Sequence, residues 1–214
     1  MPDKTAGQSL LENAYSLATP QDNLAYYRAF AETYDTDFAA GLGWSYPKAL
    51  SDTYRRLAGP EDCPVADIGC GTGYVAAELG LPAHQIDGFD ISPEMLAIAR
   101  DKGLYRGLYE ADLTQALDAV PQDYGAVVSA GTFTHGHLGP GPLAALVSIA
   151  RPGALFVIGV NQVHFDRQGF AAVLAGLRDS AVITDFAFDE INMYSKPGHA
   201  HSNDRALILQ YRKR

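Results

Sequence analysis

The stretch Val65-Ala66-Asp67-Ile68-Gly69-Cys70-Gly71-Thr72-Gly73 constrains this chain more than any other part of it. An apolar run that reads as a buried strand passes into three alternating glycines, and residues 74–79 then read as a helix. Glycine at each of these positions removes a Cβ, so the backbone can turn tightly and present its amides to a ligand near a helix N-terminus. Taken alone, the glycines are weak evidence, since a plain strand-to-helix turn uses them too.

The rest of the chain gives that turn a setting. From residue 64 onward short β-rich runs alternate with helical stretches, the pattern of a parallel sheet with helices on both faces. Strands are expected at 65–68, 85–89, 104–110, 126–130, 155–160, 181–192 and 205–211, and helices at 74–79, 93–102, 113–119, 142–150 and 166–177. The last two strands follow one another without a helix, so they should form an antiparallel hairpin around the polar loop 195–203. Before residue 60 no β-rich run occurs. Thr19-Pro20 reads as a helix start, with Leu24, Tyr27, Ala31 and Tyr34 at helical spacing behind it. A second helix is expected over 47–58, with Leu50, Tyr54 and Leu57 on one face and Gly59-Pro60 ending it. The expected organisation is a helical lid over 1–60 and an α/β core over 61–214 within one structural domain.

Length and composition agree with a single core: 214 residues, 47% hydrophobic and 19% charged. The apolar runs fall far short of the roughly 20 residues that span a bilayer, and no charged-then-apolar leader opens the sequence. The expectation is a cytoplasmic protein without a membrane partner. Cys63 and Cys70 are too few for a disulfide framework or a zinc pattern. A formal net charge of -9, with no run of lysines or arginines, argues against a nucleic-acid partner. The basic end Tyr211-Arg212-Lys213-Arg214 reads as a solvated terminus.

Two acids turn the glycine turn into a nucleoside site. The second strand ends at Asp90, about 20 residues past the glycines, where an acid hydrogen-bonds ribose hydroxyls in doubly wound sheets. The third ends at Glu110-Ala111-Asp112-Leu113, beside the same crevice, where a carboxylate can accept from the exocyclic amine of adenine. Three features at consecutive strand ends thus converge, and ligands in such sheets bind outside the carboxyl ends of the strands.

On these residues the chain resembles the class I S-adenosylmethionine-dependent methyltransferases. Asp67 to Gly73 is similar to their first motif, Gly88-Phe89-Asp90-Ile91-Ser92-Pro93-Glu94-Met95-Leu96 to their second, and Glu110-Ala111-Asp112-Leu113 to their adenine segment. Tyr124 to Gly131 and Arg151-Pro152-Gly153-Ala154-Leu155 are similar to the fourth and fifth. The resemblance covers residues 64–160. It implies a Rossmann-like, seven-stranded, mostly parallel sheet in the order 3-2-1-4-5-7-6, the last strand antiparallel. It implies S-adenosyl-L-methionine as cofactor and S-adenosyl-L-homocysteine as product. The methionine moiety would lie against Asp67, Gly69, Gly71 and Ser129, with Cys70 in the same loop. Asp90 would hold the ribose, Ile91 and Met95 would line the adenine pocket, and Asp112 with Leu113, beside Ala111, would fix the base. The stretch from Thr19 to Asp35 also resembles the lid of a subgroup related to the Williams-Beuren-region methyltransferase-like proteins, which would bring Tyr34 and Tyr27 over the methionine end. An aromatic stripe that only packs reads the same way.

A nicotinamide dehydrogenase shares the strand, glycines and ribose acid, but its fingerprint wants a further glycine or alanine where this chain has Tyr74, and it leaves Asp112 unexplained. A cofactor-binding partner subunit without turnover is the other reading. Methyl transfer is an in-line displacement at an activated carbon, so alignment and exclusion of water can supply much of the catalysis. The segment Ser129-Ala130-Gly131-Thr132-Phe133 lacks the Asn/Asp-Pro-Pro-aromatic tetrad that amino-methylation of DNA bases uses, and no cysteine stands near it for carbon-5 methylation of pyrimidines. Five of the six histidines are expected on loops at the cofactor's rim: His135, His137, His164, His199 and His201. They are compatible with solvated loops, with a general base at His135 or His137, or with a metal held by two His-x-His pairs. No metal is assigned. The expected activity is methylation of an oxygen or nitrogen of a small-molecule acceptor, with a protein side chain as the alternative. The oligomeric state stays open.

Overall fold

The computed structural model describes residues 13, 22, 25–28, 31–117 and 120–214. In chain order its strands are β1 (Val65–Ile68), β2 (Ile86–Asp90), β3 (Gly107–Glu110), β4 (Tyr124–Phe133), β5 (Ala150–Asn161), β6 (Ala187–Asn192) and β7 (Arg205–Arg212). The helices are α1 (Tyr46–Leu57), α2 (Tyr74–Leu79), α3 (Pro93–Asp101), α4 (Pro142–Ser148), α5 (Gln162–Gln168) and α6 (Phe170–Asp179). The strands form one sheet in the order β3-β2-β1-β4-β5-β7-β6, as expected. The first five run parallel, while β7 is antiparallel to both β5 and β6.

The central strands are apolar on both sides because both faces are covered. Successive side chains alternate between two core layers, following the period of two along a strand. Leu155, Val157, Ala206 and Ile208 join α1 and α2, while Phe156, Ile158, Leu207 and Leu209 join α4, α5 and α6. Among the described residues no helix is long and apolar enough to cross a membrane.

Helix α1 starts with Pro47 in its first turn and ends where the amide of Ala58 bonds the carbonyl of Tyr54, just before Gly59-Pro60. Tyr46, Leu50 and Tyr54 are buried in the layer that holds Val65, Val128 and Val157. The boundary expected at residue 60 therefore falls inside this layer, and α1 packs with the sheet. Ahead of α1 the chain forms a 3-10 turn (Ala31–Thr33) and a π-helical segment (Tyr34–Ala40). The helix start expected at Thr19-Pro20, and Leu24 with it, lie outside the described residues.

Three expectations are corrected. Residues 113–117 are not helical: Asp112 Oδ1 accepts from the Thr114 amide (2.9 Å) and hydroxyl (2.6 Å), an Asx turn that competes with helix formation, and residues 118–119 lie outside the described set. The single helix expected at 166–177 is two, because Gly169 adopts φ +78° and breaks it, and Asn161 caps the first at the His164 amide (3.1 Å). The strand expected from residue 181 starts at Ala187, and only an isolated bridge, Ile183 with Lys213, pairs the stretch before it.

Gly159 on β5 shows how closely α1 is seated. A Cβ there would come within 2.6 Å of the Tyr46 ring, which is 1% exposed and has no room to retreat. Gly159→Ala should therefore lower stability by about 1 to 3 kcal/mol, the usual range for overpacking a close-packed site. Chemical denaturation of the two proteins checks it.

Candidate active site

Strands β1 and β4 pair only as far as Asp67 with Val128 and then part. The chain order reverses here, with β2 and β3 to one side and β5 and β7 to the other, which makes this the switch point where α/β sheets bind ligands. The parting strands would strand the carbonyl of Ile68. It accepts instead from the hydroxyls of Ser129 (2.7 Å) and Thr132 (3.0 Å). Gly69 follows with φ +64°, and a Cβ there would collide with the Thr132 side chain. Gly71, at φ +52°, has open space where its Cβ would stand. The end of β2 fixes the loop, because Asp90 Oδ2 accepts from the Gly71 amide (2.8 Å) and Oδ1 from the Ser92 amide (2.9 Å).

A cavity of about 150 Å³ opens above this loop. Gly69, Cys70 and Gly71 lie along one side, Asp90, Ile91 and Met95 along the next, and Ala111, Asp112 and Leu113 beyond them. Tyr27, Tyr34 and Trp44 cover it, with successive rings 6.2 Å apart. Its other end is made by Thr132, His137 and Leu138. The cover is fastened to the loop: Asp35 accepts from Thr72 Oγ1 (2.6 Å) and pairs with Lys102 Nζ (2.5 Å), and Arg28 pairs with Glu94 (2.6 Å).

Twelve of the residues singled out from the sequence therefore line one cavity, and three do not. Ser129 is fully buried, its hydroxyl spent on Ile68. Asp67 is also fully buried beneath the loop, where Oδ2 accepts from the Tyr105 hydroxyl (2.7 Å) and Oδ1 has no partner. His135 stands outside the cavity with its ring 5.3 Å from that of His164.

Burial sets the charges. It raises the pKa of Asp67 to about 7, against the opposing bond from Tyr105 and with Asp90 adding to the rise. Burial also raises Asp90, although the amides of Ser92, Gly71 and Ile91 pull it back. It keeps the Cys70 thiol protonated and unsuited to nucleophilic attack. His137 is pushed down to about 4 by burial, so its imidazole is neutral at pH 7. Its tautomer follows from its partners. Nδ1 lies 3.0 Å from the carbonyl oxygen of His135, which can only accept, so Nδ1 carries the proton and Nε2 the lone pair. Tyr27 donates its hydroxyl to that lone pair at 2.7 Å.

The other rim histidines do structural work. His164 belongs to α5 rather than to a loop, and its Nε2 bonds the Leu138 carbonyl (3.0 Å), tying the segment after β4 to that helix. His201 pairs with Asp204 (3.0 Å), and the His199 ring stacks edge-on against Tyr194 at 5.1 Å. Among the described residues no cluster of histidine, cysteine and carboxylate side chains is arranged to hold a metal ion. Trp44 and Thr132 escaped the sequence reading. The first is the chain's lone tryptophan, and nothing in the pattern around the second marks it.

The methyltransferase domain family matches residues 65–153, from β1 into β5. Methyltransferase-like protein 27 of Homo sapiens is 32% identical over 145 residues, 66% of this chain and 59% of that protein. Residues 65–153 are thus similar to a methyltransferase domain, and the chain resembles the class I S-adenosylmethionine-dependent methyltransferases. It spans less than two thirds of that human relative. The 18S rRNA (guanine-N(7))-methyltransferase of Bos taurus is 39% identical over 84 residues, 38% of this chain and 30% of the relative. The TehB-like SAM-dependent methyltransferase of Corynebacterium glutamicum has the same fold, with a TM-score of 0.58 at 19% identity over 92% of this chain and 100% of that one.

The family's cofactor, S-adenosylmethionine, fits what these residues offer. Gly71 leaves a cradle that a Cβ would fill, and Asp90 presents a carboxylate between two amides at the end of β2. Asp90→Ala should weaken S-adenosylmethionine binding by about 1 to 3 kcal/mol, through lost charge-assisted hydrogen bonds. Because Gly71 and Ser92 lose their acceptor too, the cofactor-free mutant should also melt earlier. Calorimetry and thermal denaturation read the two effects.

Asp67 supplies a pH signature. The folded protein holds its proton up to about pH 7, whereas the unfolded chain releases it near the ordinary value of 3.8. The folded state therefore binds the extra proton between those values, so this group's stabilisation is full below about pH 4 and is lost as pH rises through 7. Asp67→Asn should flatten that part of the stability curve, as denaturant titrations at a series of pH values will read.

Proposed function

We propose that this chain transfers the methyl group of S-adenosylmethionine to an oxygen or nitrogen of a small-molecule acceptor, with His137 as the base. The observation that carries the reading is the neutral His137, whose Nε2 lone pair shares one cavity with the Asp90 carboxylate and the glycine loop. When bound, the cofactor supplies a methyl carbon already activated on sulfur. The residues then have to bind, align and keep water out.

Asp90 takes the ribose hydroxyls, and Ile91 and Met95 give the adenine its apolar walls. Asp112 and Leu113, beside Ala111, meet the edge of the base. Gly69, Cys70 and Gly71 let the methionine moiety lie against backbone. Asp67 and Ser129, in place of direct contact with it, support that loop from beneath. Tyr34 and Trp44 exclude water, and the Asp35 bonds to Thr72 and Lys102 hold that cover on the loop. His137 accepts a proton from the acceptor as its bond to carbon forms. His135 contributes its carbonyl, which fixes the His137 tautomer, rather than its ring.

The rRNA-methylating relative makes nucleic acid the second reading. A net charge of -9 and the absence of a basic stripe weigh against a phosphate backbone. Release of S-adenosylhomocysteine separates these readings when small hydroxyl and amine compounds, a protein mixture and RNA are offered in turn. Small compounds should support turnover. Cofactor binding without turnover on any of them would leave a non-catalytic binding subunit. His137→Ala should lower turnover about 10²-fold or more while cofactor affinity holds, and His135→Ala should do far less. Equal losses from both substitutions would remove His137 as the base.

A further inference from the structure

We propose that Tyr105, which lies outside every sequence motif noted above, is a positioning residue for the cofactor loop: it reaches across β2 to hold Asp67, braces the loop at Gly73, and so sets how tightly S-adenosylmethionine binds. The inference rests on the methyl-transfer reading above and adds to its site a residue that does not line the cavity.

The chain carries Tyr105 there between two anchors. Gly103, at φ +65°, follows the end of α3, and its amide bonds the Arg100 carbonyl (3.0 Å). The Arg106 amide then bonds the Ile86 carbonyl (2.8 Å), which lays the segment alongside β2 before β3 begins at Gly107. From here the Tyr105 side chain crosses β2 at Gly88, the residue paired in register with Asp67. A Cβ on Gly88 would stand 3.0 Å from one edge of the ring and 2.8 Å from the Cys70 sulfur, so glycine is what leaves the path open. The hydroxyl ends on Asp67, donating to Oδ2 at 2.7 Å.

The opposite edge of the ring meets the loop. A Cβ on Gly73 would stand 3.2 Å from it, and Gly73, at φ +93°, is the point where the loop turns into α2. The β4 hydroxyls hold the loop at its start and Asp90 holds it at Gly71, so Tyr105 supplies a third support, at its end and from beneath. The outer side of the ring borders a further cavity of about 170 Å³ between α3 and β3, which gives the ring room to swing away. The hydroxyl bond to Asp67 is therefore what keeps the ring against Gly73. A loop held in its binding shape before the ligand arrives spares the complex the cost of ordering it.

Tyr105→Phe is the test, since phenylalanine keeps the ring and removes only the hydroxyl. In cofactor-free protein, hydrogen exchange at the Gly71 and Gly73 amides should quicken, while exchange at Phe156 and Leu209, in the middle of the sheet, holds. By calorimetry S-adenosylmethionine should bind about 10-fold more weakly, the weight of one hydrogen bond to a buried carboxyl. A pH profile adds a readout that ring packing alone would not move. Asp90 and Tyr105 face Asp67, with the Cys70 thiol beside them; Asp90 raises the Asp67 pKa and the Tyr105 bond opposes the rise. Without that bond Asp67 keeps its proton to a higher pH, so the decline in folded stability that ends near pH 7 in the wild type should extend above it. In an Asp67→Asn background Tyr105→Phe should leave the pH curve where it is. Unchanged cofactor affinity, unchanged exchange in the loop, or equal acceleration at Phe156 and Leu209 would overturn the proposal, and so would an unmoved pH curve. Wild-type protein that binds no S-adenosylmethionine would defeat the methyl-transfer reading instead, while the exchange and pH measurements, made without cofactor, would still decide whether Tyr105 holds the loop.

Discussion

The site depends on how one backbone carbonyl is satisfied. Where β1 and β4 part, Ile68 would leave an acceptor unpaired in a buried place, at a penalty comparable to a lost hydrogen bond. Two hydroxyls from β4, Ser129 and Thr132, take it over, and in doing so hold the strands open at the width of the glycine loop. Gly69 must then lack a Cβ because Thr132 stands against it, and the loop's next turn delivers the Gly71 amide to Asp90. The cleft, the loop and the acid are thus one hydrogen-bonded unit. Ser129 acts as part of its frame.

The same closeness controls protonation. Beneath the loop a carboxylate with one unpartnered oxygen and no charge partner favours its neutral form, and at the far end a buried imidazole does likewise. Among the described residues that line the cavity, Asp90 and Asp112 are the carboxylates.

What could be read beforehand follows from the range of the interactions involved. Tyr74–Leu79 and Val65–Ile68 were legible to the residue because a strand, three glycines and a helix are set by neighbours in sequence. The sheet order came with the family resemblance. The helix expected at 113–119 failed because Asp112 and Thr114 close an Asx turn that an apolar pattern does not register. His164 was misplaced for a similar reason, since Asn161 caps a helix four residues before the expected start. Trp44 and Thr132 reach the cavity only through contacts that span most of the chain, such as the bridge from Trp44 to Tyr194, and no local period encodes those. The histidines were legible as a group but not by role. Their hydrogen-bond partners, the carbonyls of His135 and Leu138 among them, leave no mark in the sequence.

The cover over the cavity joins these strands of argument. Its residues come from the segment ahead of α1, the part of the chain least constrained by the sheet, yet each fastening point lies on the cofactor side. Asp35 bonds Thr72 and Lys102, Arg28 pairs with Glu94 at the start of α3, and Lys196 reaches the carbonyl of Ala40 (2.6 Å) from the hairpin between β6 and β7. Apart from the bond to buried Thr72 these contacts are half-exposed or exposed, so each is worth little singly. Tyr27 rides on this cover, whereas His137 is fixed to the sheet. The cover is thus fastened at the glycine loop, at α3 and at the last hairpin, with Tyr27 bridging it to His137 after β4.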